Sequence, residues 1–350
     1  MSNLTDLAHK LDSADEAERI YAAEDIGYLN GPDGVLALLG RMSNEPSRTV
    51  RDAIFQALIR IDADAAIEGA IQLLGSGDAQ IRNQAVDVLR RKGARSVPFL
   101  NAVMRDGDKH MRKLVLDVLS GIQASDAGDI YAAALSDPDP NVVITAVENL
   151  GSMRATEFRG RIEDLLKADA HPMLIVACIE ALTGIGNESS LAVIRRSFPV
   201  FAKLPDFLLA SCLKAVAALG SHSDFAEVAG LLPSRGLQLR PAILSALLAI
   251  CPESQTDDAC EDLRQALRDV VLSADPPLGR YQAVRVLGCW AAARDDVYLF
   301  LAGCLGDPER LVRLGAIEVL RRAGRPGVDA LLAAQALEET DEEVLQALTP

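Results

Sequence analysis

Apolar positions recur along this chain in a two-part rhythm, clearest from Asp137 to Gly151, DPDPNVVITAVENLG. Two Asp-Pro steps lead into a β-branched pair, then an apolar stripe at helical spacing that closes in Leu-Gly. With an anchor set at Val143, the same pattern falls at Arg19, Arg51, Arg82, Arg112, Val143, Leu174, Leu209, Arg240, Arg280 and Arg313. The intervals are 32, 31, 30, 31, 31, 35, 31, 40 and 33, and seven of the ten anchors are Arg, the mark of an internal repeat. Apolar residues three, four and seven places after the anchor, such as Ala85, Val86 and Leu89 after Arg82, make one buried face of a helix that the anchor opens. Between these helices lie shorter apolar ones, at Val35–Met42, Ala65–Leu74, Val97–Met104, Gly128–Leu135, Phe158–Leu166, Ser190–Ser197 and Val328–Leu337. A pair of antiparallel helices cannot bury both its faces, so the pairs must stack.

The turn before each second helix has its own logic. Pro suits a helix's first turn, and an acid just before it caps the helix and faces its positive end. Glu45, Asp106 and Asp307 each stand six residues before an anchor Arg, and Asp137 keeps that place before Val143. Between stacked turns these acids and arginines are placed to form a structural ladder. The rhythm breaks at SFPVFAKLPDF (Ser197 to Phe207), as a hinge or as a bend packed by its own aromatics, and again at CPESQTDDACED (Cys251 to Asp262), before a long helix over 259–272. The expected organisation is a cap over 1–14, regular repeats over 15–200, irregular repeats over 201–340 continuing the same stack, and a tail over 341–350.

Composition narrows the possible functions. Aromatics are only 4% of 350 residues, so the core must be Leu, Ala, Val and Ile. A net charge of −15 without a sustained basic cluster argues against nucleic acid and against an anionic membrane surface. The N-terminus has no apolar signal core, and no uncharged apolar run is long enough to span a bilayer. The six cysteines lack CxxC spacing and read as reduced core thiols of a cytoplasmic protein. The four histidines form no HExxH, and no GxGxxG, GxxxxGK[ST] or GxSxG occurs, so no catalytic residue, metal ligand or cofactor cradle is expected.

The copies DPDPNVVITAVENLG, DPERLVRLGAIEVLRRAG and DAQIRNQAVDVLRRKG resemble the HEAT repeat, in its short bacterial phycobilisome-lyase HEAT-like form, over about residues 15–340. That resemblance implies an all-α fold: a right-handed α-solenoid of about ten helix pairs, second helices lining a concave surface. It also implies a scaffold used for many purposes. Within it, ERIYAAEDIG (Glu18 to Gly27) is similar to a helix of the E/F-type phycobilin lyases, through Arg19, Tyr21, Ala22, Ala23 and Gly27. Glu24 and Asp25 depart from it, standing where the lyases have Trp. A tetrapyrrole would be the cofactor only under that alternative, a lyase or chromophore chaperone.

Five places after the anchors come Glu24, Gln56, Asp87, Asp117, Glu148 and Ile179, a column facing away from the buried stripe. Four of the first five are acids. Two like charges about 10 Å apart in water repel by only about 0.4 kcal/mol, so holding the row is cheap. Nine places after the anchors, Arg60, Arg91 and Arg322 form a basic rim. The column reads either as a solvated face or, with Tyr21, as a groove for a protein partner with a basic or mixed apolar surface. In the middle of the chain, MLIVACIEAL (Met173 to Leu182) and Phe207 to Leu219 are apolar nearly all round. They are either buried under the Phe-rich insertion or an apolar site for a partner helix or flat ligand. The reading that results is a non-catalytic scaffold or adaptor.

Overall fold

Where Asp or Ser stands four residues before an anchor, a helix starts. Asp15, Ser47, Asp78, Asp108 and Asp139 each accept a backbone N–H of the following turn. The helices therefore begin three residues before their anchors, not at them. This is seen in a computed structural model that describes residues 4–122, 127–167, 169–235, 237–251 and 260–349.

The first helices alternate with the second helices throughout. In order they are α1 (Leu4–Leu11), α2 (Glu16–Leu29), α3 (Pro32–Met42), α4 (Arg48–Arg60), α5 (Asp64–Leu74), α6 (Ala79–Lys92), α7 (Val97–Asp106), α8 (Lys109–Leu119), α9 (Ala127–Ala134), α10 (Pro140–Ser152) and α11 (Arg159–Leu165). Then come α12 (Pro172–Ile185), α13 (Glu188–Ser197), α14 (Asp206–Leu219), α15 (Phe225–Ala229), α16 (Arg240–Ile250), α17 (Glu261–Leu272), α18 (Pro277–Leu287), α19 (Asp295–Gly303), α20 (Arg310–Ala323), α21 (Val328–Ala336) and α22 (Glu342–Leu348). Among the described residues every regular element is helical, and no helix is long and apolar enough to cross a membrane. Two compact units result, Met1–Arg161 and Ile162–Pro350. In the first, α2, α4, α6, α8 and α10 pack in succession; in the second, α12, α14, α16, α18 and α20 do. The fold is an all-α solenoid of stacked helix pairs.

The core is the expected Leu, Ala, Val and Ile. Trp290 adds one fully buried ring in the second unit, tilted against Phe225 at 6.0 Å. Small residues let the second helices close on each other. A Cβ on Gly27 of α2 would lie 2.9 Å from the Ala57 Cα of α4, so this crossing tolerates nothing larger. Of the Phe-rich insertion, Phe198 and Phe201 are buried, while Phe207 stays half exposed. Arg235 ties the insertion to the next repeat through the carbonyls of Ala202 and Leu204. Most of the second irregular stretch, 252–259, lies outside the described residues.

The anchor arginines join one repeat to the next. Arg19 forks onto both carboxylate oxygens of Glu45, at 3.0 and 3.1 Å, and Arg112 does the same to Asp137 at 2.6 and 2.8 Å. Arg313 forks onto Glu339 at 2.8 and 3.1 Å; Arg240 pairs with Asp275, and Arg280 with Asp307. Each acid sits in the turn leading into the following repeat's second helix, or, for Glu339, into α22. The same arginines donate back to their own turn, Arg19 to the Ser13 carbonyl and Arg313 to the Asp307 carbonyl, both at 2.9 Å. Glu45 also accepts from Arg41 at 2.7 Å and from the Ser47 N–H at 2.8 Å. Burial pushes the Glu45 carboxyl up, but Arg19, the Ser47 N–H and Arg41 outweigh it and hold the group below the ordinary range. Asp137 follows the same balance with Arg112 and the Asp139 N–H. Glu339 is held low by the Asp341 N–H first, then by Arg313 against burial.

The cysteines depart from expectation. Cys251 and Cys289 form a disulfide across 38 residues, so two of the six are not reduced thiols, and the redox argument for a compartment loses its premise. Cys178, Cys212 and Cys304 are buried thiols, each pushed up to about 12 chiefly by burial.

Breaking the most buried rung leaves two arginines without their carboxylate, so Glu45→Gln should cost about 3 kcal/mol, read as a lowered urea midpoint. A depressed carboxyl contributes stability above its unfolded pKa and loses it as pH falls through the folded value. Acid destabilisation should therefore set in below about pH 4 and be shallower in Glu45→Gln than in the wild type. Gly27→Ala should cost about 1–3 kcal/mol through the clash with α4. Gly40→Ala, on an exposed helix position with open space around it, should instead gain about 0.5–1 kcal/mol in the same assay.

Candidate functional site

The residues five places after the anchors do share an exposed face in the first unit. Glu24, Gln56, Asp87 and Glu148 are exposed on α2, α4, α6 and α10, and Asp117 is half-buried on α8. The core positions on either side of each, as Ala85 and Val88 around Asp87, pack inward, which leaves this side of each helix to solvent. Lys113 holds Asp117 at 3.0 Å one turn away. Among the described residues, Glu24, Asp87 and Glu148 have no ion-pair partner. Between α4 and α6 the row opens into a shallow groove of about 320 Å³ lined by Arg48, Asn83, Gln84, Asp87 and Arg90. Tyr21 stands on the same helix as Glu24 and is 66% exposed. The carboxylates of Glu24 and Asp25 are exposed on that helix too, where the lyase resemblance has aromatic rings.

Ile179 is not part of this face. It is fully buried on α12, and the exposed residue there is Glu180. The buried positions of α12 (Ala177, Cys178, Ile179, Ala181, Leu182 and Ile185) match those of α4 only when the anchor moves one residue, from Leu174 to Ile175. A helix apolar on nearly every side hides this slip, because no polar residue marks its outer edge. With the anchor corrected, the column of the second unit reads Glu180, Lys214, Ser245, Arg285 and Glu318. Lys214 bonds Glu180 at 3.1 Å and Arg285 bonds Glu318 at 3.0 Å, each from one second helix to the next. The column is therefore continuous in position within each unit. Its charge is not: mostly acidic and unpaired in the first unit, mutually neutralised in the second.

The basic rim turns out to be a packing feature as well. Arg60 lies over the Tyr28 ring at 4.1 Å, and its guanidinium passes close to Gly27. Arg322, in the second unit, bears in the same way on Gly288, where a Cβ would lie 3.1 Å from Nη2. Arg91 is exposed at the end of α6, beside Arg90, which donates to the Asp117 carbonyl at 3.0 Å. Arg60 and Arg322 thus each pack against a glycine near the end of the preceding second helix, Gly27 and Gly288.

Two places before the anchors, taken at Ile175 for α12, Met173, Phe207 and Leu278 are large, apolar and exposed on α12, α14 and α18, all in the second unit. Met173 and Phe207 open the two apolar stretches that the sequence marks; Leu278 is the one that sequence reasoning missed. Among the described residues no group of three or more His, Cys, Asp or Glu is placed to hold a metal ion.

A family model for HEAT repeats matches residues 4–90 and 263–349. No curated protein matches by sequence. Among solved structures the chain is similar to importin beta, crystallised in an ammonium sulfate condition, with a TM-score of 0.57 and 12% identity. The likeness covers 99% of this chain and 56% of that one, so the chain spans little more than half of importin beta's length, and at that identity it shows the fold.

The corrected column makes a direct contrast. Ile179→Lys should cost at least about 3 kcal/mol by forcing an ammonium into the core, whereas Glu180→Gln should stay within about 0.5 kcal/mol, both measured by thermal unfolding.

Proposed function

We propose that this HEAT-repeat protein is a non-catalytic scaffold that holds a protein partner against the exposed face of its first-unit second helices. The reading rests on one observation above the others: among the described residues the acids Glu24, Asp87 and Glu148 stand exposed and without an ion pair on every other second helix, α2, α6 and α10, while the equivalent row of the second unit pairs with itself. Neighbouring second helices lie about 8–10 Å apart, so a segment crossing them from α2 to α10 meets a free carboxylate at every second helix, about 16–20 Å apart. Lys or Arg side chains on that segment complement the row, and Tyr21 offers a ring on which a cation or an apolar side chain rests. Gln56 and Asp117 supply hydrogen-bond acceptors between the free acids. Arg60 and Arg91 border the face and disfavour a partner that is basic throughout. The partner is thus a protein of mixed charge, and neither nucleic acid nor cofactor has a part.

Salt and charge reversal test the idea together. A fluorescent Lys/Arg-rich peptide of about 20 residues should bind the wild-type protein, and more weakly as salt is raised, because the charges face solvent. The triple substitution Asp87→Lys, Asp117→Lys, Glu148→Lys should weaken that binding at least roughly tenfold, about 1.4 kcal/mol, without lowering the melting temperature. Equal binding by the triple variant would remove the acidic row from the account.

A further inference from the structure

The ladder of arginines and acids has a gap in the first unit, at Ser76 between α5 and α6. We propose that Ser76 is a phosphorylation site, whose phosphate takes the place of the missing carboxylate and ties α4 to α6.

At the complete rungs the geometry repeats. Arg19, Arg112 and Arg313 donate from Nε to the acid of a following turn, Glu45, Asp137 and Glu339. Each of these acids also accepts the backbone N–H two residues on, at 2.8, 2.9 and 2.9 Å. Ser76 stands six residues before Arg82, the place of such an acid, and its Oγ accepts the Asp78 N–H at 3.2 Å in the same way. Arg51 is posed like the other anchors. Its Nη1 donates back to the Glu45 carbonyl at 3.3 Å, as Arg19 does to Ser13 and Arg313 to Asp307. Its Nε, the atom that grips the acid elsewhere, is buried without an acceptor. A serine hydroxyl is uncharged and ends nearer to Cβ than a Glu carboxylate does, so the forward bond is not made.

A phosphate on the Ser76 Oγ fits the gap in reach, charge and room. Its oxygens lie as many bonds from Cβ as those of Glu45 and Glu339. It carries about −1.5 to −2 charges at neutral pH and accepts forked bonds from arginine. Two guanidinium groups converge on this turn: Arg51, and Arg82, whose Nη1 donates to the Ser76 carbonyl at 2.7 Å. Among the described residues neither makes an ion pair, and Asp106, which spacing assigns to Arg82, makes none either. Ser76 and Arg82 border a cavity of about 380 Å³ whose wall also holds His110 and Lys113. The acids around it are engaged: Asp78 accepts the Gln80 N–H, Asp108 those of His110 and Met111, and Asp117 pairs with Lys113. An acid two places on is compatible with a rung anion, since Asp137 so precedes Asp139 and Glu339 so precedes Asp341. Ser76 is half-buried between the exposed Gly75 and Gly77, in a turn open to a protein kinase. The kinase supplies the group from a nucleoside triphosphate. The Ser76 Oγ bonds to the γ-phosphorus, the bond from that phosphorus to the β-phosphate oxygen breaks, the diphosphate leaves, and the hydroxyl proton passes to a base of the kinase.

Phosphoserine installed at position 76 of the full-length protein tests the assignment. It should raise the melting temperature by about 2–4 °C. Its phosphorus resonance should titrate below the ordinary midpoint of about pH 6, because the guanidinium groups favour the dianion. In the Arg51→Gln background the gain should disappear and the midpoint should return towards its ordinary value. Ser76→Asp should recover part of the gain. Ser234→Asp should recover none: Ser234 holds the same place in the second unit, but the anchor before it is Leu209. That contrast stands whether or not Arg51→Gln folds. Mass spectrometry of the protein from its native cells should find phosphate on Ser76. Three results would overturn the proposal: a phosphoserine protein with unchanged melting temperature and an ordinary midpoint, the same gain when inorganic phosphate is added to the unmodified protein, or native protein with no phosphate on Ser76.

Discussion

A guanidinium shared between two turns sets how one repeat sits on the next. Five of the seven anchor arginines, Arg19, Arg112, Arg240, Arg280 and Arg313, reach forward to a carboxylate, and Arg313 also reaches back to the Asp307 carbonyl of its own turn. The energy that holds the stack together comes from burying Leu, Ala, Val and Ile between helices, which is not directional. The arginine adds direction. A forked bond to a carboxylate is short and planar, so it tolerates little sliding of one turn over another. Where Ser76 occupies the place of the acid, the forward bond is lost: the Arg51 Nε is buried without an acceptor, while Arg82 keeps the bond to its own turn, donating to the Ser76 carbonyl at 2.7 Å.

The two units use the same repeat under different local conditions. In the first, Asp and Ser cap the second helices, and the exposed row carries acids that are mostly unpaired. In the second, Pro, Leu, His and Glu stand at the caps, the exposed row pairs across repeats, and apolar residues occupy the entry positions. Local helix signals weaken just where the helices become more apolar. The helices of the second unit are then held by packing more than by their termini, which leaves their N-terminal edges free of the side chains that close them in the first unit. The first unit thus leaves carboxylates in water on its second helices, and the second unit leaves apolar side chains there.

How far the sequence could be read depended on how well each position was marked. In α6 a polar residue flanks every buried one, so Asp87 was placed correctly from spacing alone. In α12 the run from Met173 to Leu182 has a single charged residue, Glu180, and the anchor slipped by one, exchanging the exposed Glu180 for the buried Ile179. The rim arginines were placed at the helix ends correctly, but their contacts with Tyr28 and with Gly288 depend on the neighbouring helix, which spacing does not reveal. The Cys251–Cys289 pairing had no sequence signal at all, since it joins residues 38 apart, just past the ends of α16 and α18.

By itself the sequence determined the helix pairs, their order and the buried stripe, because these follow from periodicities of 3.6 and about 31 residues that repetition makes unambiguous. It placed the ladder of arginines and acids only in part: Asp106, spaced like Glu45 and Asp307, stands exposed and among the described residues makes no ion pair. Only the tertiary structure decided which ionised groups remain unpaired. Lys214 and Glu180 are 34 residues apart, as are many acids and arginines that never meet, and distance along the chain carries no information on that. The same holds for Met173, Phe207 and Leu278: each is an ordinary apolar residue of an apolar helix, and only the packing of its neighbours left it in water.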